Sequence, residues 1–129
     1  MGISTKIELL AVFKENLVKF LDAIIEQFPK EGDFILLRII LSEQVPINDA
    51  MKIFTQRILP YVDMIKNRDE RFFLDSTDLF EGIAKDKVAY FRNIWTSKTL
   101  NEEDRDQLWK WFRLFGNLAL RYNEFEKVY

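Results

Sequence analysis

From Leu108 onward the large apolar residues fall at Leu108, Trp111, Phe115, Leu118, Tyr122, Phe125 and Tyr129, in alternating steps of three and four. That spacing lines one face of an α-helix; a strand would alternate its faces residue by residue. The same period governs almost the whole chain. Leu10, Phe13, Leu17, Phe20 and Ile24 repeat it, with Ser4 or Thr5 as the cap and Pro29 with Gly32 as the stop, which predicts a helix over 5–28. Ile47, Met51, Phe54, Ile58, Tyr61 and Ile65 keep step across Pro60 and predict one helix over 47–67. It should kink where Pro60 lacks the N–H that would bond the Gln56 carbonyl. Phe80, Ala84, Val88, Phe91 and Trp95 predict a helix over 78–96, with Asp78 and Glu81 spaced as a capping box. The last helix, over 102–126, has Asn101 as its cap and Glu102, Glu103 and Asp104 where the helix dipole favours anions.

One segment escapes the period. Phe34 to Leu41 is apolar on every side except for Arg38, and its isoleucines would suit a strand. No other strand candidate exists to satisfy its backbone, so a buried central helix over 33–44, capped by Asp33, is expected. Together these segments predict an all-α fold: a single compact bundle of about five helices, one domain over 1–129, with no sheet.

Composition narrows the chemistry. The 129 residues include no Cys and no His, which removes zinc sites built on them, disulfides, thiol nucleophiles and any triad with an imidazole base. Carboxylates are plentiful but badly placed: Asp104 and Asp106 point about 160° apart on one helix. Asp75 and Asp78 are explained as caps more cheaply than as metal ligands with Glu81. No glycine-rich phosphate loop occurs. The expectation is a non-enzymatic protein without a cofactor or a metal, with a carboxylate-based enzyme as the third reading. Net charge is −2, with 7 basic and 9 acidic residues over 1–65 and 12 of each over 66–129, so no half is an electrostatic tail. Lys110, Arg113 and Arg121 form a basic row, but Asp106 and Glu124 flank it. A solvated face accounts for it better than nucleic-acid binding. No apolar run approaches the roughly 20 residues of a membrane span. Lys6, Glu8 and Lys14 come too early for a signal peptide, and Lys6 stands where a myristoylation motif wants Ser or Thr. A soluble intracellular protein is expected.

The last helix points to a partner. With Leu108 at zero, Lys110, Arg113, Asn117, Arg121 and Glu124 fill a polar arc of only about 80°. Apolar residues occupy nearly all the rest, more than the stripe of about 100° that a surface helix needs. The bland account is a central helix covered by its own neighbours. The functional account makes the shoulder of Trp109 and Leu120, with Leu114 opposite, a partner-binding surface, while Trp111 belongs to the core stripe. Tryptophan is enriched at interface hot spots.

Phe91-Arg92-Asn93-Ile94-Trp95, Leu100, and Leu108-Trp109-Lys110-Trp111-Phe112-Arg113-Leu114 carry a resemblance. The stretch 72–122 resembles small helical proteins of unassigned function from large nucleocytoplasmic DNA viruses of algae and protists. In those a Phe-x-x-Ile-Trp segment precedes a capped helix bearing Leu/Ile-Trp-x-aromatic. The resemblance brings no catalytic residues. It implies a viral gene product in the virion or host cytoplasm: a structural or virion-associated protein that docks on viral or host protein or on itself. The alternative is a regulator of transcription, translation or cell death.

Overall fold

The computed structural model describes residues 3–74, 85–97 and 100–127, and these are all-α, with no strand among them. The helices are α1 (Lys6–Gln27), α2 (Gly32–Ile39), α3 (Ile47–Ile58), α4 (Val62–Lys66), α5 (Arg71–Leu74), α6 (Lys85–Thr96) and α7 (Glu102–Lys127). A π turn, Ile40–Gln44, extends α2, and a 3₁₀ turn, Leu59–Tyr61, joins α3 to α4. The five expected segments are therefore present, with α5 as an addition. Residues 78–84 of the fourth lie outside the described residues, as does the proposed capping box there.

Local chemistry sets the ends. Thr5 caps α1, its hydroxyl accepting from the Glu8 N–H at 3.1 Å. Asn101 and Asp104 cap α7 reciprocally. The Asp104 N–H donates to Asn101 Oδ1 at 2.8 Å, and the Asn101 N–H donates to Asp104 Oδ2 at 3.1 Å. Asp33 does not cap α2: the helix starts one residue earlier, at Gly32, with Glu31 at the cap position and no side-chain hydrogen bond there. At Pro60 the one kinked helix expected is instead two: α3 ends at Ile58, the chain tightens into the 3₁₀ turn and resumes as α4, because Pro60 lacks the donor that would carry α3 on. The α4 helix ends in a Schellman motif, with Asp69 N–H on Met64 O at 2.8 Å and Arg68 N–H on Ile65 O at 3.1 Å. Its left-handed position is Arg68, at φ 52°, where glycine is usual.

Contacts divide the chain into two compact units, Met1–Gln56 with Leu118–Tyr129, and Arg57–Asn117. The first unit buries Leu9, Phe13, Leu21, Met51, Leu118, Ala119 and Tyr122, and Phe13 lies against Phe54 with ring centroids 5.7 Å apart. Its chain ends are tied together: Lys6 on α1 pairs with Glu126 on α7, and Arg121 donates to the Ile3 carbonyl at 3.1 Å. Lys6 holds the Glu126 carboxyl below its ordinary value, and that hydrogen bond holds Lys6 above its own. The second unit is built on aromatic rings. Phe72, Trp95 and Trp109 are all buried, with Ile58, Val62, Ile65, Leu100 and Phe115 around them.

Two expectations are corrected. The α2 helix, expected to be buried and central, contains no buried residue at all. Apolar composition does not by itself bury a helix; burial depends on which neighbours arrive. Trp109, expected on an outward shoulder, is only 7% exposed. Phe72 of α5 and Trp95 of α6 cover it, and neither could be placed from the period of α7 alone.

Candidate functional site

The feature of the first unit that most needs explaining is α2. Ile35 (42%), Leu36 (56%), Leu37 (41%) and Ile39 (37%) are all exposed, on a helix of eight residues. Fully burying such a side chain is worth about 1.5–3 kcal/mol, so each of these leaves roughly 1 kcal/mol unrealised. Single exposed aliphatics are ordinary; three of these, Ile35, Leu36 and Ile39, lie within an arc of about 100° and make a patch of the kind that marks interaction sites.

The local geometry explains why this side faces water. Phe34 packs back on Phe28, with ring centroids 6.1 Å apart. Arg38, about 160° around the helix from Leu36, reaches Asp22 on α1 through a bidentate ion pair. The one charge inside the run is thus spent on holding α2 to α1, and the aliphatic side is left outward. Ser42 donates to the Arg38 carbonyl at 2.7 Å, and Val45 N–H closes the π turn on Ile40 O at 3.0 Å. The π turn ends the helix without returning the aliphatic side to the core. Such turns recur at functional sites.

The residues singled out on α7 distribute differently from expectation. Trp109 meets Trp95 edge-to-face at 5.6 Å, Phe112 edge-to-face at 5.7 Å and Phe72 tilted at 5.9 Å. It is core, only 7% exposed. Leu120 and Leu114 are half-buried. Trp111, expected in the core, is half-buried and stacks on Phe115 with centroids 6.0 Å apart and an interplanar angle of 20°. The buried residues of α7 span about 180° of arc, from Leu118 through Ala119 to Trp109, wider than the stripe the spacing suggested.

The second unit has an open cleft of about 730 Å³ lined by Arg68, Glu70, Trp95, Arg105, Asp106 and Trp109, with Glu102 and Glu103 among its further residues. Glu70, Arg68, Arg105 and Asp106 are engaged in structure. Trp95 Nε1 donates to Glu70 at 2.8 Å, and Arg105 donates to the Trp95 and Ser97 carbonyls at 3.1 and 3.3 Å, closing the end of α6. Arg68 pairs with Asp106 and holds that carboxyl below its usual range, which makes it a poor proton acceptor at neutral pH. This is a scaffold of hydrogen bonds and one ion pair around two tryptophans. Of the basic row, Arg113 lies within 3.5 Å of the Lys66 carbonyl and Arg121 pairs with Glu124 at 2.8 Å; Lys110 is exposed.

No group of three acidic residues among the described residues stands close enough to hold a metal ion. Asp75, Asp78 and Glu81 lie outside the described residues. No helix of the described residues is long and apolar enough to cross a membrane.

No family model, curated protein or solved structure matches the chain.

Proposed function

We propose that the chain is a non-enzymatic protein–protein interaction module that docks through α2. The observation that carries this reading is the outward row of Ile35, Leu36 and Ile39 on a helix that buries none of its residues. Hydrophobic surface of this kind gains its free energy only when a partner covers it. The C-terminal helix, the docking element expected from sequence, is replaced in this role because Trp109 is committed to the core. A photoreactive amino acid at Leu36 tests the reading directly. In cells expressing the protein, illumination should give a discrete cross-linked product from position 36. The same probe at Glu15, on the charged surface of α1, should give none. Equal, diffuse labelling from both positions would refute docking through α2.

The resemblance over 72–122 supports a viral gene product, structural or virion-associated, with a regulator of a host or viral factor as the alternative. Mass spectrometry of purified particles separates the two: stoichiometric abundance fits a structural part, and absence fits the regulator.

A further inference from the structure

We draw no further inference here: the strongest candidate, the acid-rimmed cleft of the second unit at Glu70, Glu102, Glu103 and Asp106, is an acidic cluster at the N-terminus of α7, where the helix dipole accounts for Glu102 and Glu103, Glu70 and Asp106 are bonded to Trp95 and Arg68, and nothing among the described residues points to a ligand.

Discussion

Truncating Trp109 and Trp111 separately to Ala measures the packing of α7 where sequence and structure disagree. Trp109 is 7% exposed and touches three other rings, Phe72, Trp95 and Phe112, at centroid distances of 5.6 to 5.9 Å. Its loss removes a whole buried indole from an aromatic cluster, and deletions of that kind cost about 3–5 kcal/mol. Part of that total is the geometry of the aromatic pairs, about 0.5–1.5 kcal/mol each. Trp111 is half-buried and stacks on Phe115. About half the transfer free energy of a large side chain is at stake there, on the order of 1–2 kcal/mol. Urea unfolding followed at 222 nm should place the Trp109→Ala midpoint well below that of Trp111→Ala, with similar slopes. In a chain of this size each kcal/mol moves the melting temperature by roughly 4 °C. The gap between the two variants should therefore be on the order of 10 °C. Equal losses within about 0.5 kcal/mol, or a larger loss at Trp111, would refute the assignment of Trp109 to the core.

Three further outcomes are expected. Gly116 lies inside α7 with open space where a Cβ would point, so Gly116→Ala should raise stability by about 0.5–1 kcal/mol through helix propensity and a less flexible unfolded chain; thermal melting checks it. Arg68 holds a left-handed φ of 52° and pairs only at the surface, so Arg68→Gly should be neutral or mildly stabilising in urea unfolding, and Arg68→Val clearly destabilising. Glu126 is held below its ordinary value by Lys6, so its contribution is full above the unfolded carboxylate pKa of about 4.3 and fades as pH falls through the folded one. Lys6, held above 10.5, loses its contribution as pH rises through its folded value. Melting temperature against pH should accordingly show wild type above Glu126→Gln at neutral pH, with the two curves converging in strong acid.

The polar side of α7 was fully legible. Lys110, Arg113, Asn117, Arg121 and Glu124, the arc read from spacing, are all exposed. Caps were legible for the same reason: Thr5 and Asn101 act within their own turn, so nothing distant can overrule them. Pro60 was legible because its missing donor is a covalent fact. The direction of the core within the remaining apolar arc was not. Trp109 and Trp111 stand about 160° apart, both flanked by apolar residues, and only the arrival of Phe72 and Trp95 decides which one is covered. Those rings come from elements more than ten residues away in sequence, and the period of a helix carries no information about them.

The same reasoning explains why α2 misled. A helix with a polar arc tells where water lies; one without an arc tells nothing, and burial is then inferred from composition alone. Arg38 was the signal that such an inference overlooks. A helix enclosed on every side would have to bury that guanidinium, which is costly unless an acid is brought in with it. The structure resolves the conflict by placing α2 at the surface, with Arg38 turned back to Asp22 and still partly in contact with solvent. Once the charge is used as the anchor, Leu36, about 160° around the helix from it, is turned outward, and Ile35 and Ile39 are exposed beside it. A single arginine in an otherwise apolar helix thus fixes its orientation against the hydrophobic preference of its neighbours. The free energy left on those neighbours is what a docking partner can collect.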